Sequence, residues 1–305
     1  KNMDLTNINF MRIRRQTTVL SVILIVISIF SLFINKLNLG LDFTGGSLIE
    51  IRLEKEIDSL EEIRSLLQSL ELNDFQVNYF GSNRDISIKV PGGEESIDEE
   101  AIILNLQEFL NFEVRRQEFV GPQVGSELRD QGGLGLLAAL AVMMVYIMFR
   151  FQYKFALGAL LALIHDVIIV LGFFSIFSLD FDLAVLAAIL AVIGYSLNDT
   201  IVVSDRVREN FRKKRRSDAK IAINRSLSQM IGRTLITSLT TLLVLVALLI
   251  FGGETISNFS IALIVGVISG TYSSIYIVCN TLLTLNITSE DLMIKKTEVL
   301  DDGMP

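Results

Sequence analysis

Residues Ile193–Asn210 read I-G-Y-S-L-N-D-T-I-V-V-S-D-R-V-R-E-N, the end of an apolar run that starts near Leu183 and passes into open charge at Asp205-Arg206. Inside the apolar part stands one carboxylate, Asp199, between Asn198 and Thr200. A charge in hydrocarbon costs roughly 2.5–3.5 kcal/mol on insertion scales, so such a residue is expected to face a bundle interior or a wet path. The stretch therefore argues for a membrane-crossing helix with a polar function inside it.

The remaining composition agrees. The 305-residue chain is 51% hydrophobic with a mean hydropathy of +0.52, too apolar for an ordinary soluble protein and suited to a polytopic membrane protein. Its net charge of -7 hides a segregation. Residues 36–131 carry 20 Asp/Glu and 9 Lys/Arg, whereas Arg206–Arg233 carries 10 Lys/Arg and 2 acids. That basic block lies between two apolar runs, which argues against nucleic acid as its partner. Cys279 is the single cysteine, which excludes an intrachain disulfide and a cysteine-based metal site. It is expected to be a small buried hydrophobe.

Six apolar runs can cross a bilayer at 1.5 Å per residue: Thr17–Ile34, Gly132–Phe149, Phe155–Phe177, Leu183–Ser204, Thr234–Phe251 and Phe259–Leu285. The first follows a basic stretch with Arg12, Arg14 and Arg15, as a signal peptide would, but it ends in Asn35-Lys36-Leu37 with no small-residue cleavage site. It reads as a retained helix. The sequence opens on Lys1, which leaves open a start further upstream. The organisation is then an N-terminal segment (1–16), a first transmembrane helix (17–35), an acidic outer domain (36–131), five more helices (132–285) with a basic loop (206–233), and a tail (286–305). Arg150, Lys154 and the basic loop lie on one side, while the turns Ser178–Asp182 and Gly252–Asn258 lack Lys and Arg. By the positive-inside rule both termini are cytoplasmic and the acidic domain is outside.

The outer segment shows strand (Ser47–Leu53), helix (Asp58–Leu70, with Asp58 as N-cap), strand (Phe75–Phe80), strand (Asp85–Val90), helix (Ile97–Leu110) and strand (Phe112–Val120). A Gly81-Ser82-Asn83-Arg84 turn is expected between the middle strands. This βαββαβ order is that of a ferredoxin-like unit. In the basic loop, Ala219–Gln229 places Ile221, Ile223 and Leu227 as in an amphipathic surface helix. Fixing topology and binding a partner are both open to that loop.

The ionisable groups at membrane depth are His165, Asp166, Asp199 and, at the entry of the fifth helix, Arg233. Asp166 lies about 16 Å into its helix, and Asp199 about 24 Å from the outer start of its own. Asp199 and Arg233 fall at comparable depth, which allows a pair between them. His165 and Asp166 point about 100° apart, so they are not expected to share one target. His165 reads either as a proton carrier or as a hydrogen-bonded packing group. Hydroxyls at Thr234, Thr237, Ser238, Thr240 and Thr241, with Gly266-x-x-x-Gly270 and Thr271-Tyr272-Ser273-Ser274 in the last helix, suit close packing or a hydrated path. No phosphate loop, H-E-x-x-H or G-x-S-x-G is present, so no enzyme machinery is legible. The Gly-x-Gly-Asp arrangement of aspartyl intramembrane proteases is also missing around Asp199.

At this point the chain resembles a known family. Leu39-Gly40-Leu41-Asp42-Phe43-Thr44-Gly45-Gly46, Val120–Gly125, Ala162–Asp166, Gly194–Asn210 and Asn224–Thr241 are similar, in order, to segments of SecF-type members of the SecD/SecF family, within the RND superfamily. The resemblance implies an all-α six-helix transmembrane bundle, half of a transporter, with a small α+β ferredoxin-like extracytoplasmic domain. It implies a multi-pass protein of the bacterial inner membrane and an obligate SecD partner. It further implies work with the SecYEG translocon, SecA, the accessory protein YajC and an unfolded translocating polypeptide. No cofactor is implied; protons are the coupling ion. Asp199 takes the family's proton-coupling carboxylate and Arg233 its functional arginine, with Asp166 and His165 as further relay candidates. Gly40, Asp42, Phe43, Gly45, Gly46, Asn198, Thr200, Asp205 and Arg206 are signature or coupling positions. Ser204 and Met230-Ile231-Gly232 depart from the family's usual residues, which bears on local packing.

The expected function is proton-driven promotion of protein export. Movement would pass from Asp199 through Leu37–Gly46 and Gln117–Gly132 to the outer domain, and it is expected to depend on Gly45-Gly46. The alternative is a non-transporting scaffold that stabilises the translocon. An exporter of small molecules is disfavoured by the single small outer domain.

Overall fold

The computed structural model describes residues 9–57, 59–69, 75–80, 82–92, 99–213, 218–288 and 291. Asp58, Gly81 and the outermost residues of both expected domain helices lie outside them. Among the described residues six helices are long and apolar enough to cross a membrane: α1 (Arg14–Ile34), α5 (Pro122–Arg150), α6 (Tyr153–Ile176), α7 (Leu183–Lys213), α8 (Ala219–Phe251) and α9 (Ser257–Thr284). Between α1 and α5 come β1 (Asn38–Leu39), α2 (Leu41–Thr44), β2 (Gly46–Leu53), α3 (Glu61–Ser69), β3 (Gln76–Phe80), β4 (Ser82–Pro91), α4 (Glu99–Phe109) and β5 (Phe112–Val120). The short β6 (Asp180–Phe181) separates α6 from α7.

The helices are not equivalent. In α6, α7 and α9 the apolar spans are 56%, 56% and 50% buried, against 6% for α5 and 17% for α8. The first three form the bundle's interior, and the other two present most of their surface outward. Small residues set the close approaches. A Cβ on Gly266 would overlap the Val192 side chain, and one on Gly270 would lie 3.0 Å from Ser196 Cβ. The Gly266-x-x-x-Gly270 spacing thus seats α9 on α7 by backbone proximity.

Four antiparallel strands in the order β3-β4-β2-β5 carry α3 and α4 on one face. This is the sheet order of a ferredoxin-like unit. Alternate residues Ile49, Ile51 and Leu53 of β2 and Ile86, Ile88 and Val90 of β4 are buried, the period of two that places one strand face on a core. Ile63, Leu67 and Leu106 close that core from the helices.

Several boundaries differ from the sequence expectation. The first helix starts at Arg14, preceded by a 3-10 turn over Phe10–Ile13, so part of the N-terminal segment is helical. Pro122 at the first turn of α5, after the extended Gly121, starts that helix ten residues before Gly132. Proline tolerates this position because its missing N–H would have no partner there. Ala219–Gln229 is no separate surface helix; it is the first part of α8, which runs unbroken to Phe251. Nothing between Gln229 and Thr234 breaks a helix strongly enough, since Gly232 alone costs only about 1 kcal/mol.

Two connections were not legible. β1 and β6 pair in parallel, Asn38 with Asp180 and Leu39 with Phe181, so the exits of α1 and α6 are stitched together. Gly45 (φ 69°) and Gly46 (φ 120°) then turn the chain from α2 into β2. A Cβ on Gly45 would stand 2.7 Å from Pro122 Cα, and one on Gly46 would collide with Val90 O. The glycine pair lets the start of β2, the end of β4 and the start of α5 meet at one point.

Candidate functional site: two buried carboxylates and a capped helix

The interior holds two carboxylates in opposite environments. Asp166, on α6, is fully buried. Ser196 Oγ of α7 and Ser273 Oγ of α9 each donate to its Oδ2 at 2.6 Å, and Ser269 Oγ of α9 donates to Oδ1 at 2.6 Å. His165 Nδ1 lies 3.0 Å from Oδ1, so the tautomer with Nδ1–H supplies a fourth donor. All four lone-pair sites of the carboxylate are then used. Asp166 is a knot that ties three helices, and it has no place for a further donor. The expectation that His165 and Asp166 would turn to different targets is corrected, because the two side chains bend toward each other. The His165 ring also stacks on Tyr272 at 6.1 Å, while its Nε2 is buried without a partner.

Asp199, on α7, is only 6% exposed. Its Oδ2 is buried with no hydrogen-bond partner, as are Thr200 Oγ1 and Ser204 Oγ on the same helix. The charge that acts on Asp199 electrostatically is Arg233. However, the direct pair allowed by their depth is not formed; Arg233 is exposed on the outer face of α8. Three unpartnered polar atoms within six residues leave this part of the helix short of donors and acceptors, whereas Asp166 is saturated.

The hydroxyls of α8 divide. Thr234 and Ser238 are buried, and Ser238 shares a hydrogen bond with Thr271 of α9 at 2.7 Å. Thr241 is half-buried on the face of Thr234 and Ser238, whereas Thr237 and Thr240 point outward; all three return their protons to carbonyls of the preceding turn. With Arg233, Thr237 and Thr240 form an exposed polar stripe at helical spacing.

The signature residues gather at the top of α7. Asp42 Oδ2 accepts the Leu183 N–H at 3.0 Å, and Asp182 Oδ1 accepts the Val185 N–H at 2.8 Å. Both satisfy orphan donors in the first turn of the helix that bears Asp199. Burial, followed by the neighbouring Asp42 and Asp180, pushes the Asp182 carboxyl above its ordinary range. Phe43 stacks on Phe181 at 5.9 Å. A Cβ on Gly40 would lie 3.0 Å from Asp182 Cβ. Lys89 of β4 joins Asp180 at 2.5 Å, and Arg116 of β5 donates to Thr255 Oγ1 at 3.2 Å. These contacts tie the outer sheet to the bundle.

At the other end of α7, Asp205 accepts from Arg150 Nη2 at 2.8 Å, and Arg206 Nε donates to Gln229 Oε1 at 2.8 Å. Asn198 is exposed and joins neither cluster. Sequence reasoning did not single out Ser196, Ser269 or the cap role of Asp42. Ser269 and Ser273 are four residues apart and so share a helix face, but the residue they converge on lies on another helix.

The chain is similar along its whole length to known proteins. The family model for the C-terminal part of the protein export membrane proteins SecD/SecF matches residues 100–288, and the SecD/SecF GG motif matches residues 30–57. The chain is 50% identical to the protein translocase subunit SecF of Pseudomonas aeruginosa, covering 100% of both. It is 45% identical to that of Vibrio alginolyticus, covering 98% of this chain and 97% of the relative. Among solved structures it is similar to the translocon-associated membrane protein SecDF of Thermus thermophilus, with a TM-score of 0.84 and 35% identity over 92% of this chain. The chain spans 38% of that longer protein. A second form of SecDF, described as super-membrane-facing, gives a TM-score of 0.68 at 34% identity, covering 92% of this chain and 39% of that one.

Proposed function

The chain belongs to the SecD/SecF family of protein-export membrane proteins as its SecF-type subunit, and on that premise we propose that it uses the proton-motive force, together with a SecD partner, to promote protein export at the SecYEG–SecA translocon. The observation that carries the reading is the contrast between the two intramembrane carboxylates. Asp166 is saturated by donors from neighbouring helices. Asp199 is buried with an unpartnered oxygen, and the unpartnered hydroxyls of Thr200 and Ser204 follow on the same helix. A carboxylate in that state gains or loses a proton without first breaking a helix-to-helix bond, and each change alters the charge that Arg233 faces.

The same helix supplies the transmission. Asp199 lies about 24 Å along α7 from Leu183, whose N–H is held by Asp42. A shift of α7 therefore pulls on α2, and α2 passes through Gly45-Gly46 into β2 of the outer sheet. The proposed cycle needs no cofactor. Protons are the coupling ion, and the outer domain meets the emerging polypeptide.

The test is export of a secreted reporter by vesicles carrying the SecD partner and this chain as Asp199→Asn, with and without a proton gradient. Expression and partner association are first shown to be intact. Loss of only the gradient-dependent component is expected. Unchanged export would sink the proton-coupled reading and leave a scaffold that stabilises the translocon.

A further inference from the structure

The end of the bundle away from the outer domain holds a polar concavity that the Asp199 cycle does not use. A cavity of about 670 Å³ opens there, with Arg12, Arg14 and Arg15 at the start of α1, Lys220 at the start of α8, and Thr288 beyond α9 in its wall. This volume lies in the range of small-ligand sites, roughly 300–1,000 Å³. The wall is fixed rather than loose. Met11 N donates to Asn224 Oδ1 at 3.0 Å, and Asn224 Nδ2 donates to Asn9 Oδ1 at 3.0 Å, which pins the chain entering α1 to α8.

The charges in this wall are strongly one-sided. Asp218 is the acid that lines the cavity, and its Oδ1 is engaged by the Lys220 N–H at 2.9 Å as the cap of α8. The ion pairs at this end of the bundle are Asp205 with Arg150 and Arg208, Lys154–Asp291, and Glu209 with Arg206 and Lys213. Among the described residues they leave out all four cations of the cavity.

A second groove of about 310 Å³ shares Arg14 and Arg15 with the cavity and continues between α1 and α9, past Thr18, Val19 and Asn280. It descends more than one helical turn from the charged end into the membrane-spanning part of both helices. Four cations at the interface, continuous with a channel between two spanning helices, match a molecule with an anionic phosphate at one end and a hydrocarbon chain at the other. We propose that this is a binding site for an anionic glycerophospholipid, with its headgroup phosphate among Arg12, Arg14, Arg15 and Lys220 and one acyl chain in the α1–α9 groove. A free phosphate shares the headgroup chemistry, but it leaves the groove unused.

The test uses the full-length chain in detergent, with bound lipid counted by native mass spectrometry after exchange into phosphatidylglycerol or phosphatidylcholine. The intact chain is expected to retain phosphatidylglycerol and release phosphatidylcholine. Arg12→Gln with Arg15→Gln should weaken retention by about fivefold for each cation removed. Arg212→Gln with Lys213→Gln removes as much charge from the end of α7 and should leave retention unchanged. Val19→Trp fills the groove at an exposed position without altering charge, and it should also release the lipid. Three results would each overturn the site: equal loss from the Arg212/Lys213 variant, undiminished retention in Val19→Trp, or displacement of the lipid by millimolar inorganic phosphate. Thermal unfolding of each variant shows that it is folded before its lipid is counted.

Discussion

Asp166 and Asp199 are the same side chain on neighbouring interior helices, and their surroundings give them different work. Removing Asp166 as Asp166→Ala leaves Ser196 and Ser269 with buried, unpaired hydroxyls and Ser273 with only its 3.2 Å bond to the Gly270 carbonyl. Each such group costs about 1–3 kcal/mol in protein interiors, although interhelical hydrogen bonds in membranes average only about 0.6 kcal/mol. A loss of roughly 2–4 kcal/mol is therefore expected for Asp166→Ala, read as a lower midpoint of denaturant unfolding in detergent. Asp199→Asn breaks no hydrogen bond with another helix and should move that midpoint by less than about 1 kcal/mol. Equal destabilisation by the two changes would contradict the division between a structural carboxylate and a free one. The sequence marked both as intramembrane charges and put Asp199 first, with Asp166 as a further relay candidate, but it offered no structural ground for separating them. What separates them is three serines on two other helices, which no spacing along one helix reveals.

At the scale of elements, the outer sheet contains a titratable joint of its own. Arg52 of β2 meets Asp85 at the start of β4 through Nε at 2.6 Å and Nη2 at 2.8 Å, and Ser82 Oγ adds a third donor at 2.7 Å. The Arg52 hydrogen bond, aided by Ser82, pulls the Asp85 carboxyl down to about 2 from its ordinary 3.8. A depressed carboxylate pKa contributes stability that is complete above its unfolded value and fades as pH falls through its folded value. This joint is therefore intact at neutral pH and is lost between pH 3.8 and about 2. Since Arg52 is half exposed, solvent screens the pair and its contribution to stability is small. Limited proteolysis of the domain in proteoliposomes should show cleavage rising in that window. Asp85→Asn should raise cleavage at pH 7 and flatten its pH dependence. A wild-type profile that stays flat down to pH 2 would remove this role. The βαββαβ order was readable because strand and helix periods alternate clearly over 46–120. The helix ends were not, because Pro122 and Gly232 act as breakers in isolation yet sit where a helix tolerates them.

For the whole molecule, the outward faces of α5 and α8 are the largest unanswered surface. An exposed arginine at the entry of a spanning helix, followed by outward threonines at positions 237 and 240, is costly against lipid and suits a protein neighbour. A bulky substitution in that stripe, Thr240→Trp, is expected to reduce co-purification with the SecD partner several-fold. Leu161→Trp, on an exposed part of α6, should leave it unchanged. If both variants assemble normally, the α8 stripe is not the contact.

The number of apolar helices, the acidic α+β segment between the first two of them and the place of Asp199 inside an apolar run were determined by the sequence itself. They depend on local hydropathy and period, which each segment carries alone. Tertiary structure decided which carboxylate is saturated and which is free, that Asp42 caps the helix carrying Asp199, and that β1 pairs with β6 across 142 residues. Those facts arise from atoms meeting at hydrogen-bond distance from segments far apart in the chain. Such meetings depend on how the helices pack and where each side chain then points, and one-dimensional spacing does not encode either.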